Sequence, residues 1–367
     1  MVPRSSTHLP QPSPAHRTIS AGDRVVITGA AGFIGSAVTR AVLATGAHVV
    51  AVVEPGGDER NLDDLASPQV ERQTVDLRDA PAVRNVCQDA RFVFHLAAIY
   101  AFWARDPKLF AAVNVGGTLN LLDAVRAAGC ERMVYTSTVG VLGVDGTSGA
   151  RCADETSYAD IAHLFGAYKR TKYVAEHEVL RAAAEGLPLS IVLPTFPLGP
   201  GDRRPTPTGK LILDFLNGRM PGFVDTTMNV VHVDDLAAGH LAALQHGAHG
   251  RSYILGGENR SMQSILDVLA GCTGLRAPTL QVPKAVALAA GVASQLVEGR
   301  ILHREPNVSI EAARMSTTHM NFDDSRARTE IGYTSRPARD AIEESARWFA
   351  DHGYVTTKRR ERIVWIK

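Results

Sequence analysis

Short apolar runs alternate with longer amphipathic segments through the first half of the chain. The runs are rich in Val and Ile, as is typical of buried strands, whereas the segments between them show the period of helices. Strand and helix in regular succession predict an α/β fold with a parallel, doubly wound sheet. The predicted strands are residues 24–28, 48–53, 70–75, 92–95, 132–135 and 189–193, and the predicted helices are residues 33–44, 81–88, 109–128 and 168–184.

The pattern changes after Pro194. A stretch rich in Pro and Gly runs to Gly209 and is followed by shorter strands and helices. We expect a smaller C-terminal lobe that covers the carboxyl edge of the sheet, where doubly wound folds bind their ligands. Residues 230–232 predict a strand that returns to the main sheet. Helices are predicted near residues 234–245, 261–269 and 338–351.

Composition narrows the class of partner. The 367 residues are 45% hydrophobic and 21% charged, as is typical of a globular protein. Lys and Arg number 39 against 38 Asp and Glu, and a net charge of +1 provides no field that would recruit nucleic acid or an anionic membrane. We therefore expect a small-molecule substrate.

The cysteines and the most apolar stretch exclude other classes of site. The four cysteines have no Cys-x-x-Cys spacing, which argues against a zinc site or a disulfide framework and favours reduced, cytoplasmic thiols. Residues 282–297 are interrupted by polar side chains and are too short to span a bilayer, so they predict a buried or substrate-side helix. His232, Asp234 and Asp235 lie close together, but Asp234 is interpreted as a helix cap rather than a metal ligand, and no metal is expected.

A glycine-rich turn follows the first predicted strand. Gly29, Gly32 and Gly35 open the first helix, where missing side chains allow backbone N–H groups and the helix dipole to meet a pyrophosphate. The strand before, the helix after and a second strand ending at Glu54 predict a Rossmann-type dinucleotide site.

Two acidic residues at strand ends bear on the choice of dinucleotide. A carboxylate at Glu54 accepts hydrogen bonds from ribose hydroxyls and repels a 2′-phosphate, so NAD is preferred, while Arg60 leaves NADP possible. Asp76 is placed to meet the adenine amino group, although Asp at a strand end is often a turn residue.

A second motif suggests acid–base chemistry. Tyr168 and Lys172 are four residues apart, so on a helix they share a face, and a nearby ammonium group favours phenolate over phenol. Tyr and Lys at this spacing are also common on ordinary helix surfaces. Together with the glycine turn, the pair points to hydride chemistry on a carbonyl group.

The motifs in their order resemble those of the extended short-chain dehydrogenase/reductases over nearly the whole chain. Within that superfamily the chain is most similar to the branch that holds dihydroflavonol-4-reductase-like proteins and hopanoid-associated sugar epimerases. The motifs are Gly29-x-x-Gly32-x-x-Gly35, His95-Leu96-Ala97-Ala98, Asn114, Thr136-Ser137-Thr138 and Tyr168-x-x-x-Lys172.

The resemblance implies a catalytic set and a cofactor lining. Tyr168 would be the proton donor or acceptor, and Lys172 would lower its pKa and hold the nicotinamide ribose. Thr138, where the family more often has Ser, would bind the reacting oxygen, with Ser137 as an alternative. Asn114 would hold a relay to Lys172, or else make only local hydrogen bonds. The remaining cofactor contacts implied are Ala31, Phe33, Ile34, Leu77, Leu96, Ala97, Ala98, Pro194 and Phe196.

The expected substrate pocket is partly apolar. Phe102, Trp103 and Phe196 are candidates for its wall, although each could equally be core packing. An anionic head group stays possible through Arg203, Arg204 and Lys210, which a solvated loop would also explain.

Three functions remain open from the sequence. The first is an NAD(P)-dependent ketone reductase or secondary-alcohol dehydrogenase. The second is a sugar or sugar-nucleotide epimerase that uses transient oxidation, and the third is a non-catalytic dinucleotide sensor. A homodimer is expected by resemblance. The domain boundaries predicted are a flexible extension at 1–22, a cofactor domain at 23–195 to which 225–245 returns, and a substrate lobe at 196–224 and 246–367.

Overall fold

The computed structural model of the protein describes residues 17–65, 67–101, 106–144, 151–302, 306 and 308–366. Its centre is a seven-stranded sheet in the order β3-β2-β1-β4-β5-β6-β9, in which every neighbouring pair is parallel. Its strand residues are largely buried except in the edge strand β3, because helices cover both faces. The strands are β1 (Arg24–Thr28), β2 (His48–Val53), β3 (Val70–Thr74), β4 (Phe92–His95), β5 (Arg132–Thr136), β6 (Leu189–Pro194) and β9 (Ser252–Leu255).

Helices connect the strands and continue into a C-terminal lobe. The predicted doubly wound arrangement is confirmed, and the order of strands puts the crossover between β1 and β4 next to the glycine turn. The helices are α1 (Phe33–Leu43), α2 (Ala80–Val86), α3 (Lys108–Phe110), α4 (Thr118–Ala128), α5 (Ala167–Ala184), α6 (Pro207–Leu216), α7 (Val233–His246), α8 (Met262–Thr273), α9 (Lys284–Ser294), α10 (Ile310–Met315), α11 (Ser325–Ile331), α12 (Ala338–Asp351) and α13 (Thr357–Arg360).

The predicted strand at 230–232 does not return to the main sheet, and this expectation is wrong. It belongs to β8 (Thr227–His232), which pairs with β7 (Phe196–Leu198) and β10 (Glu258–Ser261) in a separate three-stranded sheet. The edge of the main sheet beside β6 is taken by β9. Only α7 returns, because it packs against α1 and the backs of β5 and β6.

The cap of α7 also differs from the expectation. The helix begins at Val233, and the His232 side chain accepts the hydrogen bond from the backbone N–H of Asp234 at 3.1 Å. Asp234 therefore lies in the first turn of α7, where its negative charge interacts favourably with the helix dipole. His232 is anchored on its other side by Glu344, 3.1 Å from Nε2.

Two further expectations are corrected by packing. Within the predicted flexible extension at 1–22, Arg17 donates to the carbonyl of Gly247 and Ile19 is buried in the core, while residues 1–16 lie outside the described part. Within 282–297, α9 buries only Gly291 among its residues, so a buried helix is wrong there. No helix among the described residues is long and apolar enough to span a bilayer.

The predicted helix at 109–128 is interrupted. A π-helix at Ala111–Gly117 separates α3 from α4, and it contains the buried side chain of Asn114. Asn114 accepts from the backbone N–H of Ile99 at 2.8 Å and donates to the Thr171 hydroxyl at 3.1 Å. These bonds join the segment after β4 to α5, and π-helical turns of this kind often accompany functional sites.

The α1 helix sits very close to the turn that precedes it. A Cβ on Gly35 would lie 1.9 Å from the carbonyl oxygen of Gly29, which is backbone and cannot yield. A side chain at this position would push the helix away from the sheet.

We predict that Gly35→Ala destabilises the protein by about 1–3 kcal/mol, as overpacking does. The matched control is Gly271→Ala in α8, where nothing lies within 4 Å of the new Cβ. This control should stabilise by about 0.5–1 kcal/mol through helix propensity. Urea unfolding measures both, and equal effects of the two substitutions would contradict the close approach.

Candidate active site

The glycine turn is fixed between two strands. Gly29 has φ of +70°, which favours glycine, and its N–H donates to the carbonyl of Val52 at 3.0 Å. A Cβ on Gly29 would lie 2.8 Å from the backbone nitrogen of Ala97. The turn therefore depends on the absence of side chains to lie between β2 and the segment after β4.

The start of α1 fits a pyrophosphate group. Gly32 is the N-cap residue and makes no side-chain cap, so the N–H groups of the first turn, including those of Phe33 and Ile34, face no capping side chain. Free N–H groups and the helix dipole together form an anion site. The turn, the bare helix start and the order of strands fit a dinucleotide.

Glu54 directly follows β2, as predicted, and it is largely exposed. Its carboxylate accepts from Arg204 of the C-terminal lobe at 3.0 Å. Arg60, which could have swung toward a phosphate, is held by Asp58 at 2.6 Å. The Arg60 guanidinium holds the pKa of Asp58 at about 2. The basic group beside Glu54 is therefore Arg204, which the sequence assigned to a substrate head group.

Other residues predicted to contact the cofactor lie near the ends of β3 and β4. Asp76 accepts from Arg78, and this hydrogen bond lowers the pKa of the carboxyl. Leu77 is buried against Gly117. The backbone N–H groups of Leu96 and Ala97 both bond to Thr28, at 3.2 Å each. Asp76 thus has the short-range partner of a turn residue, and its contact with adenine stays a prediction.

Tyr168 lies in the first turn of α5 and is partly exposed. Burial raises the pKa of its phenol, a hydrogen bond with Thr138 lowers it, and the charge of Glu311 raises it. The net shift is upward, so Tyr168 is a neutral phenol near neutral pH. The ring packs against Tyr100, with 4.8 Å between centroids.

Lys172 lies one turn further along α5 and is buried. Its Nζ donates to the hydroxyl of Tyr135 at 2.9 Å and to the carbonyl of Thr136 at 2.6 Å. Burial lowers the pKa of the ammonium to about 7, and the charge of Glu176 raises it. Burial is the largest cause of the shifted pKa of Tyr168. The predicted lowering of that pKa by Lys172 stays a prediction.

The two hydroxyls after β5 have different partners. Ser137 is buried and donates to the carboxylate of Glu176. The Thr138 hydroxyl lies near the Tyr168 phenol and lowers its pKa, and its Oγ1 accepts from the backbone N–H of Gly140 at 3.1 Å. Because Ser137 is engaged elsewhere, Thr138 is the better candidate to meet a reacting oxygen.

Glu176 is a residue of the site that the sequence argument missed. It is fully buried, and the hydroxyls of Ser137 and Tyr158 both donate to it. Burial raises the pKa of its carboxyl, whereas these hydrogen bonds and the charge of Lys172 lower it. Its spacing offered a signal, because Tyr168, Lys172 and Glu176 follow one another at four-residue intervals on one helix face.

Glu311 and Tyr100 were missed as well. Glu311 belongs to α10 in the C-terminal lobe. Burial is the main reason that the pKa values of Tyr168 and Tyr100 are raised, and the charge of Glu311 raises them further. Nothing in the local sequence marks Glu311, because it reaches the site through tertiary contact alone.

Of the three aromatic residues predicted to line the substrate pocket, the structure describes Phe196. Phe102 and Trp103 lie outside the described residues. Phe196 is buried in β7 and belongs to the core of the second lobe, next to Pro194 at the end of β6. Arg203 donates to the side chain of Asn61 at 3.2 Å and thus faces the cofactor side.

Comparison with known proteins supplies the family. The sequence profile of the NAD dependent epimerase/dehydratase family matches residues 25–256. The chain belongs to this family. A Synechocystis protein named after dihydroflavonol 4-reductase is 40% identical over 344 residues, which cover 93% of this chain and 98% of that one. Sterol demethylase protein B of Methylococcus capsulatus is 33% identical over 331 residues, which cover 90% of this chain and 99% of that one.

A solved structure agrees with these relatives. The crystal structure of gox2253 has 38% sequence identity to this chain and a TM-score of 0.79, and the match covers 91% of this chain and all of that one. The predicted resemblance to extended short-chain dehydrogenase/reductases, the Rossmann-type fold and the class of NAD(P)-dependent enzyme are confirmed.

Proposed function

We propose that this family member transfers hydride between a nicotinamide cofactor and a ketone or secondary alcohol of a small, partly apolar substrate. The observation that supports it is the Thr138 hydroxyl near the Tyr168 phenol, together with the hydrogen bonds that fix Lys172 one turn further along the same helix. Thr138 follows the carboxyl end of β5, and Tyr168 lies at the start of the helix beside it. Both therefore lie at the edge of the sheet that carries the glycine turn. In this proposal the Tyr168 phenol is the proton donor and the neighbouring Thr138 hydroxyl is a second hydrogen-bond donor.

A neutral Tyr168 phenol can act as the proton donor of a reduction. Burial keeps the phenol neutral, so it holds the proton that a carbonyl oxygen needs as it becomes an alcohol. Thr138 donates a second hydrogen bond to the same oxygen and stabilises its developing negative charge. When bound, the nicotinamide supplies or accepts the hydride.

Lys172, one turn further along α5, is assigned to stabilising the charge of Tyr168. Its ammonium is held by Tyr135 and Thr136, so its position is fixed. With a pKa of about 7 it exchanges its proton near neutral pH. We assign it to the nicotinamide ribose and, in its charged form, to stabilising the phenolate that remains after proton donation. Asn114, which joins Ile99 to Thr171 beside it, holds this part of α5 in place.

An apolar substrate is supported by the surface beside the site. α9 packs against α10, the helix that carries Glu311. α9 and the π-helix that follows it, Gln295–Ile301, expose large apolar side chains, including Val286, Leu296 and Ile301. Exposed apolar patches of this kind usually mark interaction sites. The names of the relatives, a dihydroflavonol reductase and a sterol demethylase protein, agree with a substrate that has little charge.

An epimerase is the second candidate, because the family includes epimerases and the same groups can return the hydride to the opposite face. The two functions differ in their balance of cofactor. A reductase consumes NADH with its ketone, whereas an epimerase changes a sugar without net consumption.

Compartment and assembly stay predictions. All four cysteines are unpaired in the structure, which suits the reducing cytoplasm we propose. We also propose a homodimer through α4 and α5, where Val174 is an exposed apolar side chain.

We predict that Tyr168→Phe retains NADH affinity and loses turnover by about 10²–10⁴-fold, because the ring remains and the proton donor is removed. The control is Tyr173→Phe, five residues further along α5, which should turn over like the wild type. Steady-state kinetics with a ketone panel and fluorescence titration of NADH provide the two readouts. Retained turnover in Tyr168→Phe would remove Tyr168 from the mechanism.

We predict that the wild type prefers NADH, and that Glu54→Ala shifts the ratio of kcat/KM values toward NADPH by about tenfold or more. The substitution removes the repulsive carboxylate and frees Arg204 to bind a 2′-phosphate. Glu59→Ala, five residues away, is the control. An unchanged ratio in Glu54→Ala would mean that Glu54 does not select the cofactor.

A further inference from the structure

A carboxyl oxygen that has no hydrogen-bond partner among the described residues is buried near the start of α5, the helix that carries Tyr168. Glu311 is 4% exposed. Its Oε1 is buried and accepts no hydrogen bond from any residue that the structure describes. Buried carboxyl oxygens are nearly always paired, because desolvation without a partner is costly. An unpaired one therefore calls for an explanation.

The chain makes room for this carboxyl at the start of α5. Gly166 is the N-cap residue of α5, two residues before Tyr168, and has φ of +92°. A Cβ on Gly166 would lie 1.9 Å from Oε2 and 2.5 Å from Oε1 of Glu311. Any side chain at Gly166 would displace the carboxyl, so the glycine places Glu311 over the first turn that presents Tyr168.

The groups that interact electrostatically with Glu311 lie at the start of α5 and in the segment after β4. They are Lys169 and Tyr168 of α5 and Tyr100 of the segment after β4. Burial raises the pKa of the Glu311 carboxyl to about 7, and the charge of Lys169 lowers it. Among the described residues Lys169 forms no ion pair with Glu311, so the attraction acts at longer range and leaves the oxygen unpaired.

We propose that Glu311 is a specificity-determining residue that accepts a hydrogen bond from a hydroxyl group of the substrate near the reacting carbonyl. This inference rests on the proposed reductase function. A hydroxyl suits the position because a carboxyl accepts hydrogen bonds in either protonation state, whereas an anionic group would be repelled by the ionised form. A site that hydrogen-bonds a substrate hydroxyl rejects the analogue that lacks it, since its own buried group is then left unpaired.

The test uses matched pairs of ketones with the full-length protein and NADH. The pairs are acetoin and butanone, hydroxycyclohexanone and cyclohexanone, and benzoin and deoxybenzoin. The wild type should favour the hydroxylated member of at least one pair by about tenfold or more in kcat/KM. Glu311→Leu should abolish this preference, while Glu311→Gln, which keeps an acceptor oxygen, should retain most of it. Glu361→Leu, at an exposed site, is the control.

The outcomes separate the possible roles. If Glu311→Leu and Glu311→Gln change both members of each pair equally, Glu311 acts only through its charge on Tyr168, and the proposal is overturned. It is also overturned if the wild type reduces ketones with no preference for the hydroxyl. If the wild type binds NADH but consumes it with no member of any pair, the reductase function itself fails, and the inference fails with it.

Stability provides a readout that is independent of activity. The carboxyl of Glu311 ionises near 4.5 in the unfolded chain, whereas its folded pKa is about 7. The folded state therefore loses stability as pH rises from 4.5 to 7, where only the unfolded chain is ionised. Glu311→Gln should remove this loss in denaturant unfolding across that range. An identical pH dependence in the wild type and Glu311→Gln would contradict the burial on which the proposal rests.

Discussion

The site depends on the burial of one polar face of α5 against the carboxyl end of β5. Tyr168, Lys172 and Glu176 follow one another on that face. Lys172 and Glu176 are hydrogen-bonded to groups of the segment 135–138, and the Thr138 hydroxyl of that segment lowers the pKa of Tyr168. Burying these groups is costly unless they are hydrogen-bonded, so their partners fix the register of the helix against the sheet. The same burial sets the protonation state of the phenol. Structure and chemistry therefore share one cause.

The glycine turn imposes the second constraint. Gly29 and Gly35 allow β1, α1 and the segment after β4 to approach more closely than any side chain permits. Asn61 then bridges Ala31 of the turn to Gly201 of the C-terminal lobe, with hydrogen bonds of 3.1 and 2.9 Å. The cofactor side and the C-terminal lobe are thus tied together at the turn by Asn61, and beside it by the ion pair of Glu54 with Arg204.

Much of the fold follows from local periodicity. The bounds predicted for β1, β2, β4 and α12 agree with the structure, because each is a buried apolar run or an amphipathic repeat with a clear end. The separate sheet around β8 could not be predicted, since a short apolar run does not say which edge it joins.

Some residues of the site could likewise be predicted from the sequence, and others could not. Tyr168, Lys172 and the glycine turn are sequence motifs, and Glu176 continues their spacing. Arg204 and Glu311 carry no local signal, because they come from distant segments and acquire meaning only from what they face.

The most direct test is a crystal structure of the protein with NAD and a bound product alcohol. The account predicts that the phenolic oxygen of Tyr168 and Oγ1 of Thr138 both lie within about 2.6–3.2 Å of the same ligand oxygen. Two hydroxyls directed at different ligand atoms, or a ligand oxygen out of reach of Tyr168, would contradict the account.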